Sequence, residues 1–457
     1  MTIETAVENL RKALGTHFAT SDAVRTLHGQ NESYFAETLP DGVAFPGSTE
    51  DVQRIVRICA EHSCPIVPWG TGTSLEGNAL AVRGGISLDM SRMDRIVAVH
   101  REDLDAVVQP GVTREALNTH LRDTGLFFPV DPGANASLGG MAATRASGTT
   151  AVRFGTMREN VLALEVVTAD GRIIRTGSRA RKSAAGYDLT KLIVGSEGTL
   201  GIITELTLRL QGQPEATSAA ICRFDDIDGA VQTVIQTIQM GVPMARIEFV
   251  DHVTVRGLNN YFKTDYPEAP HLFLEFQGSE PAVREQAETV GEIAAEHGGE
   301  GFQWSARAED RSKLWKMRHN AYYAQKALKP GCWAVTTDVC VPISRLAEAV
   351  TATRADLDAS PLIAPMLGHV GDGNYHAAIL VEPGNEKELS IAKDLAARMN
   401  LRSLEMGGTV TGEHGVGQGK MRFMEAEHGP GWQVMGEIKR ALDPANILNP
   451  GKVVQLN

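Results

Sequence analysis

The chain has 457 residues, of which 42% are hydrophobic, so it can bury more than one large core. Its formal net charge of −12 argues against binding to nucleic acid or to an anionic membrane surface, because both favour a basic partner. No apolar run approaches the roughly 20 residues that cross a bilayer. The polar first residues resemble neither a secretion signal nor a transit peptide, and we expect a cytoplasmic protein with no membrane span.

The first half of the chain alternates helical and strand patterns up to about residue 213. Residues 48–64 carry apolar side chains at helical spacing behind a Ser-Thr cap, and residues 65–70 are typical of a strand. Further runs of β-branched residues follow, with one helix among them at 113–125. We predict an N-terminal segment over residues 1–40 and an α+β or α/β domain over residues 41–213.

The second half repeats another pattern. A strand, a helix and a second strand recur in that order, with the repeats beginning near residues 218, 271 and 334. Such units with hairpins favour an antiparallel sheet covered by helices. We place this domain at residues 214–420 and a C-terminal tail at residues 421–457.

Five cysteines are spread over both halves. Their number is odd and they contain no Cys-x-x-Cys pair, so neither a disulfide framework nor a cysteine zinc site is predicted. We expect these residues to be reduced and mostly buried: Cys59, Cys64, Cys222, Cys332 and Cys340.

Glycine-rich segments punctuate the first domain. The stretch "VPWGTGTSLEGN" (residues 67–78) follows a strand, and its backbone N–H groups could cradle an anion such as a phosphate. It lacks the Gly-Lys-Ser/Thr of a P-loop, and its spacing departs from a dinucleotide fingerprint that opens a helix. Two further glycine clusters, at residues 129–155 and 194–205, favour a dinucleotide cofactor, with ordinary turns as the alternative.

The stretch "GHVGDGNYH" places His369 and His376 on either side of an Asp-Gly pair. Asp-Gly between apolar runs predicts a hairpin with a two-residue turn. In that register the two histidines form a cross-strand pair, with Cβ atoms roughly 5 Å apart. They are candidates for one small cation, and a solvated surface pair is the alternative.

Six ordered motifs resemble those of the FAD-linked oxidases whose FAD domain is of the p-cresol methylhydroxylase type. They are "PWGTGTSLEGN", "DPGANASLGGMAATRASG", "GSEGTLGIITE", "GHVGDGNYH", "TGEHGVGQGK" and "LDPANILNPGKV". Within that family the chain looks most like the cytochrome-type D-lactate dehydrogenase branch, near the flavin subunit of glycolate oxidase and D-2-hydroxyglutarate dehydrogenase. The resemblance implies an α+β fold with a two-subdomain FAD-binding domain, a ferredoxin-like cap domain with an antiparallel sheet, and a tail that returns to the flavin.

The resemblance also implies which residues hold the cofactor. Some members of the fold that this chain resembles attach FAD covalently through a histidine in or near the first loop. No histidine lies between Cys64 and Val99, so the resemblance implies noncovalent FAD. The implied cofactor-binding residues are Pro68, Gly70, Thr71, Gly72, Thr73, Ser74, Gly77, Pro132, Ser137, Gly139, Gly140, Ser147, Gly148, Glu197, Gly198, Ile203 and Asn449.

Oxidation of a 2-hydroxy acid requires removal of the hydroxyl proton and of the α-hydride, and FAD accepts the hydride at its N5 atom. A divalent cation, Zn or Mn, would lower the pKa of the substrate hydroxyl. We predict that His369, His376 and Glu413 bind this metal. His414 is predicted to act as the general base, because the pKa of an unperturbed imidazole lies near 6.5.

The substrate carboxylate needs a cation, and the resemblance implies Arg318 in "SKLWKMRHNAYY", whose planar fork can bind it at two points. Ala378 stands two residues after the second histidine, where the hydroxyglutarate branch has asparagine. This departure weakens a dicarboxylate assignment and favours D-lactate as substrate.

Other functions stay open at this point. A glycolate dehydrogenase flavin subunit and a D-2-hydroxyglutarate dehydrogenase are the rival enzymes, and a nicotinamide enzyme is disfavoured by the loop spacing. An assembly subunit that keeps FAD for structure is the non-enzyme alternative. The electron acceptor, whether quinone, cytochrome or electron-transfer flavoprotein, could hold the protein at the inner face of a membrane. A homodimer is one option for its assembly.

Overall fold

A computed structural model describes residues 2–456 and divides them into two compact units. Unit 1 comprises residues 2–147, 155–213 and 413–456, and unit 2 comprises residues 148–154 and 214–412. Met1 and Asn457, which end the predicted first and last segments, lie outside the described residues.

The strands of unit 1 are β1 (Phe18–Ala19), β2 (Gly42–Ala44), β3 (Ile66–Trp69), β4 (Ile86–Asp89), β5 (Ile96–His100), β6 (Asp105–Val108), β7 (Leu126–Phe127), β8 (Val161–Val167), β9 (Ile173–Arg175), β10 (Ile202–Arg209) and β11 (Gln211–Gly212). The strands of unit 2 are β12 (Ala216–Arg223), β13 (Arg246–Val250), β14 (His271–Gly278), β15 (Glu300–Ser305), β16 (Trp333–Thr336), β17 (Val339–Cys340), β18 (Met366–Gly368) and β19 (Asn374–Val381).

The helices, in chain order through both units, are α1 (Ile3–Leu14), α2 (Asp22–Gly29), α3 (Thr49–Glu61), α4 (Arg114–Leu121), α5 (Leu138–Thr144), α6 (Ala151–Phe154), α7 (Met157–Asn160), α8 (Leu189–Ile193), α9 (Ile227–Gln239), α10 (His252–Phe262), α11 (Glu280–Glu296), α12 (Ala308–His319), α13 (Ala321–Lys326), α14 (Leu346–Asp358), α15 (Glu386–Glu405), α16 (Met424–His428) and α17 (Pro430–Leu442).

Unit 1 contains two main sheets. The first has the order β1-β2-β4-β3 and pairs β2 and β3 in parallel with β4, and the second, β5-β6-β10-β8-β9, is antiparallel throughout. Helix α3 begins where the Ser48 side chain accepts a hydrogen bond from the Asp51 backbone N–H, and it buries the apolar stripe Val52, Ile55 and Val56. Strand β3 ends at Trp69, so the first glycine-rich segment leaves the carboxyl edge of the parallel strands.

Unit 2 is built on one antiparallel sheet of order β15-β12-β14-β13-β18-β19-β16, and β17 also pairs with β19. Helices α10, α12 and α13 pack against β13 and β14 through a cluster that includes Leu258, Phe273 and Trp315. Each large apolar side chain buried in this way stabilises the fold by about 1.5–3 kcal/mol. The predicted antiparallel sheet with covering helices is therefore confirmed.

Within residues 2–456, the helices are each too short or too polar to span a lipid bilayer.

Candidate functional site

The first glycine-rich segment, which we call the cradle loop (residues 67–78), lies in unit 1, where it begins within β3 and continues beyond the end of that strand at Trp69. Residues 70–75 are half-buried, whereas residues 76–78 are buried. The hydroxyls of Thr71 and Thr73 lie 3.2 Å apart. The loop therefore presents backbone N–H groups and two hydroxyls at a partly open surface, which suits the binding of a phosphate.

The second glycine-rich segment reaches the cradle loop. Ser137 caps helix α5, where its Oγ accepts a hydrogen bond of 3.4 Å from the backbone N–H of Gly140. A Cβ atom added to Gly70 would lie 2.3 Å from this same Oγ. The two segments are thus so close that a side chain at position 70 would displace Ser137.

The third glycine-rich segment and the C-terminal tail also lie close to the cradle loop. The Asn449 side chain donates hydrogen bonds to the backbone oxygens of Glu197 at 2.7 Å and Asn78 at 3.0 Å. A Cβ added to Gly198 would lie 2.6 Å from Pro68. Within residues 2–456 the buried Oδ1 of Asn449 has no hydrogen-bond partner, as expected of an acceptor that faces a ligand.

The remaining predicted cofactor residues lie on the same segments. Ser147 and Gly139 are buried, Ile203 is buried on β10, and Pro132 is half-buried. Gly148 is grouped with unit 2, as the first residue of its 148–154 segment.

The predicted histidine hairpin is present in unit 2, but the register predicted for it was wrong. Leu367 of β18, not His369, faces His376 of β19. Val370–Asp372 form a 3-10 turn, and Gly373 follows with a φ of +78°, so the connection is longer than two residues. Tertiary packing requires glycine there, because a Cβ on Gly373 would lie 2.1 Å from the Val341 backbone oxygen.

The two imidazoles are nevertheless neighbours. Their ring centroids lie 5.5 Å apart with an interplanar angle of 81°. Nδ1 of His369 lies 2.8 and 2.9 Å from the two carboxylate oxygens of Glu248. Nδ1 of His376 lies 3.1 Å from the Thr337 backbone oxygen and 3.5 Å from Oδ1 of Asp338. Because acceptors hold the proton on Nδ1 of both rings, any metal would be bound through Nε2.

Arg318 belongs to the same group in unit 2. It is buried near the end of α12, and its Nη2 donates a hydrogen bond to the Glu248 carboxylate, which pairs the two charges. Among the described residues, 2–456, its Nε has no hydrogen-bond partner. The guanidinium therefore retains a buried donor that could face an anionic ligand.

Glu413 and His414 begin the last segment of unit 1. The residue before them, Gly412, donates its backbone N–H to the Asp338 backbone oxygen at 3.0 Å. The Asn78 side chain lies 3.4 Å from the His414 backbone oxygen. The backbone around the predicted ligand and base is thus fixed by hydrogen bonds.

Burial shifts the pKa values of two ionisable groups beside the cradle loop in unit 1. It raises the pKa of Glu197 above the ordinary carboxyl range, although hydrogen bonds from Val416, Asn78 and Gly417 oppose this shift. It lowers the pKa of Lys452 to about 8, opposed by the charge of Glu197. Nζ of Lys452 donates a hydrogen bond to the Leu80 backbone oxygen at 2.7 Å.

Sequence reasoning missed Glu248, Asp338 and Lys452. A signal existed for Glu248, which stands as a single carboxylate between Ile247 and Phe249 in a strand whose one other charged residue is Arg246. A charged residue at such a buried position needs a polar partner. Asp338 likewise interrupts the β-branched run of residues 334–342.

Comparison with known proteins identifies two matching families and several relatives. The FAD binding domain model matches residues 40–177, and the model of the C-terminal domain of FAD linked oxidases matches residues 213–453. A probable mitochondrial D-lactate dehydrogenase of Danio rerio is 50% identical, over 99% of this chain and 92% of that protein. The mitochondrial D-lactate dehydrogenase [cytochrome] of Arabidopsis thaliana is 46% identical, over 98% of this chain and 80% of that protein.

Among solved structures, p-cresol methylhydroxylase with bound substrate superposes with a TM-score of 0.82 at 19% identity, over 98% of this chain and 96% of that chain. At this identity the likeness concerns the fold. The family models and the nearly full-length relatives establish that the chain belongs to the FAD-linked oxidases, as an oxidoreductase with the p-cresol methylhydroxylase-type FAD-binding fold.

Proposed function

We propose that the protein is an FAD- and divalent-metal-dependent dehydrogenase that oxidises a D-2-hydroxy acid, with D-lactate favoured, to the 2-oxo acid. The observation that carries this proposal is the 50% identity over 99% of the chain to a protein named as a probable D-lactate dehydrogenase. The polar groups around Glu248 in unit 2 support it.

The residues of unit 1 fit FAD. The cradle loop, Ser137 and the Glu197–Gly198 turn lie on converging segments, and the Oδ1 atom of Asn449 is a buried acceptor with no hydrogen-bond partner within residues 2–456. We propose that backbone N–H groups of Gly70 to Ser74 bind the pyrophosphate. When bound, FAD supplies the acceptor for the substrate hydride.

The proposed metal ligands are His369, His376 and Glu413. Glu248 beside His369 and Thr337 beside His376 act on the ring nitrogen opposite to the one that would bind the metal, an arrangement typical of metal-binding histidines. Imidazole and carboxylate ligands suit Zn or Mn. A divalent cation, when bound, would lower the pKa of the substrate hydroxyl.

Asp338 enters the proposal as a further candidate ligand. The side chains of Asp338 and His376, both in unit 2, each offer an atom of a type that could hold a metal ion. The Asp338 carboxylate already accepts hydrogen bonds from Asn374 and Thr411, which fix its orientation.

Arg318 is proposed to bind the substrate carboxylate. Its Nη2 is paired with Glu248, so Nε is the donor through which we propose it contacts the substrate. Glu248 would then fix the direction of the guanidinium and, through the opposite oxygen, the ring of His369. A single carboxylate would in this way orient the substrate-binding residue and a metal ligand together.

His414 is proposed as the general base that takes the hydroxyl proton. The α-hydride leaves as the carbonyl of the 2-oxo acid forms, so one proton and one hydride account for the oxidation. The two electrons must pass to an acceptor, for which a cytochrome is favoured because three relatives carry that word in their names. Four relatives are named as mitochondrial, and a cytoplasmic location stays a prediction from the sequence.

A visible spectrum tests the proposal. The purified protein should show flavin absorbance that D-lactate bleaches under anaerobic conditions, faster than L-lactate, glycolate or D-2-hydroxyglutarate does. A flavin bleached best by glycolate would favour the glycolate dehydrogenase alternative. A flavin reduced by none of these acids would contradict the proposed function.

A further inference from the structure

Glu197 occupies an unusual place in unit 1. It is 4% exposed, and its backbone has a φ of +53°, a conformation that a glutamate adopts only when its surroundings impose it. Its side chain points at the segment that follows His414. Oε1 accepts a hydrogen bond of 2.6 Å from the backbone N–H of Val416.

The carboxylate uses both oxygens in this way. The backbone N–H of Gly417 lies 3.2 Å from Oε1 and 2.9 Å from Oε2, and the Asn78 side chain donates to Oε2 at 2.7 Å. Three donors thus converge on one buried anion, and hydrogen bonds to a charged acceptor are about twice as strong as neutral ones. The carboxylate oxygens are directed to the protein's own backbone and to Asn78, although the family resemblance implied that Glu197 binds the cofactor.

The same segment is held from a second side. The backbone N–H of Gln418 donates to the backbone oxygen of Glu76 at 2.9 Å. A Cβ added to Gly417 would lie 2.1 Å from that oxygen, so only glycine permits this approach. Residues 416–418 are therefore fixed between Glu197 and the cradle loop.

We infer that Glu197 is a positioning residue for His414. The carboxylate fixes the N–H groups of Val416 and Gly417, two and three residues after the proposed base, and thereby limits where the His414 backbone can lie. Gly415, between His414 and Val416, is also close, since a Cβ added to it would lie 2.7 Å from Oε1 of Glu197. This inference rests on the proposed role of His414 only for its catalytic consequence.

Lys452 supplies a charge that stabilises this arrangement in the interior. Its side chain is buried, and its ammonium acts electrostatically on Glu197. A buried carboxylate with a cation and three donors nearby keeps its negative charge more readily than an isolated one. Glu197, Lys452 and Asn78 therefore form one polar group beneath the 415–417 backbone.

Hydrogen exchange tests the structural part without reference to catalysis. In the FAD-loaded protein, the peptide covering residues 412–418 should exchange about tenfold faster or more in Glu197→Ala than in wild type, because two N–H groups lose their acceptor. Glu197→Gln, which keeps one acceptor oxygen, should lie between them. Unchanged exchange in both variants, with flavin absorbance retained, would overturn the inference.

Glu165→Gln is the matched control. Glu165 is likewise a carboxylate of unit 1, partly buried, but it accepts hydrogen bonds from Thr49, Thr204 and Arg175. Its replacement should leave exchange of residues 412–418 within about twofold of wild type. Equal acceleration in Glu165→Gln and Glu197→Gln would show a general loosening of the fold and would also overturn the inference.

Steady-state kinetics with D-lactate and a dye acceptor test the catalytic part. Glu197→Gln should lower kcat by about 10²-fold, the usual effect of misplacing a reacting group by about 1 Å, while KM changes little. In a His414→Asn background the same substitution should change kcat by less than about threefold, because the effect passes through His414. An equal loss in both backgrounds would contradict a positioning role.

The two proposals fail in distinguishable ways. If no 2-hydroxy acid reduces the wild-type flavin, the proposed function is wrong, and hydrogen exchange still decides whether Glu197 fixes the 415–417 backbone. If D-lactate reduces the flavin but Glu197→Gln matches wild type in exchange and in kcat, the positioning role alone is wrong.

Discussion

Glu248 and His369 are hydrogen-bonded in the interior of unit 2, with Nδ1 of His369 lying 2.8 and 2.9 Å from the two carboxylate oxygens. The same carboxylate pairs with Arg318. Glu248 is 1% exposed, so its charge is stabilised by these partners rather than by water. The proposed substrate-binding arginine and a proposed metal ligand therefore depend on one side chain.

Glu248→Gln should weaken metal binding about 10- to 100-fold, because the amide is a poorer acceptor for the His369 ring and no longer balances the Arg318 charge. Flavin content should stay at the wild-type level, since the cradle loop belongs to unit 1. Metal titration of the chelator-treated protein, followed by mass spectrometry of bound metal, measures the change.

Glu275→Gln is the control for this prediction. Glu275 lies on the neighbouring strand β14, is also buried, and pairs with Arg246 at 2.8 Å. Its replacement should leave metal affinity unchanged. Equal affinity in Glu248→Gln and wild type would show that Glu248 does not orient a ligand.

His369→Ala and His376→Ala should each remove most bound metal and most activity while leaving FAD bound. Each variant loses one imidazole ligand, and metal sites of this kind tolerate few losses. Metal content and flavin absorbance of the same sample provide the measurement. His297→Ala, which alters a histidine of unit 2 bonded to Gln236, should keep both. Full activity in metal-depleted His376→Ala would refute the metal site.

Periodicity in the sequence was enough to find the main elements of unit 2. The helices predicted within the repeats that begin near residues 218 and 271 are α9 (Ile227–Gln239) and α11 (Glu280–Glu296). Such patterns reflect burial of one helix face, a local property that can be read from the spacing of apolar residues within the helix itself. The hairpin at residues 366–381 was also expected, but its register depends on packing of Gly373 against Val341, which lies 32 residues earlier.

The partners of the site residues could not be predicted in the same way. Glu248 is hydrogen-bonded to Arg318, which lies 70 residues later in the chain, and to His369, which lies 121 residues later. No local pattern links such positions, because they come together only when β13 pairs with β18 and helix α12 packs on the sheet. A motif can therefore predict His369 as a site residue, whereas only the folded structure identifies the carboxylate that orients its ring.

Arg318→Lys should lower kcat/KM for every 2-hydroxy acid tested by about 10-fold or more. Lysine keeps the positive charge beside Glu248 but lacks the planar fork and the Nε donor. Kinetics with D-lactate and glycolate provide the measurement, and Arg311→Lys on the same helix is the control. An unchanged kcat/KM would mean that another residue binds the substrate carboxylate.

Lys452 should make stability depend on pH in the alkaline range. Burial lowers its pKa from 10.5 to about 8, so between these values the unfolded chain binds more protons than the folded one. The free energy of unfolding contributed by this group therefore rises with pH from about 8 to 10.5, by at most about 1.4 kcal/mol per pH unit. Urea unfolding of wild type and Lys452→Met at pH 7.5 and pH 10 measures the difference in their free energies of unfolding. Between these pH values the stability of wild type should rise relative to that of Lys452→Met. A difference that stays the same at both pH values would contradict the lowered pKa. Lys182 is exposed, so the stability difference between wild type and Lys182→Met should not change with pH.

His414 and Glu413 are adjacent in the chain, but their proposed roles should separate by mutation. His414→Asn should retain metal and FAD yet slow flavin reduction by D-lactate about 10²- to 10⁴-fold, the usual contribution of a general base. Glu413→Gln should instead weaken metal binding, because an amide oxygen is a poorer ligand than a carboxylate, and excess Mn²⁺ or Zn²⁺ should restore part of its activity. Rapid-reaction absorbance and metal content, measured on both variants, distinguish the two losses. If excess metal restores His414→Asn and not Glu413→Gln, the roles are reversed, and the proton must be taken by the residue now assigned to the metal.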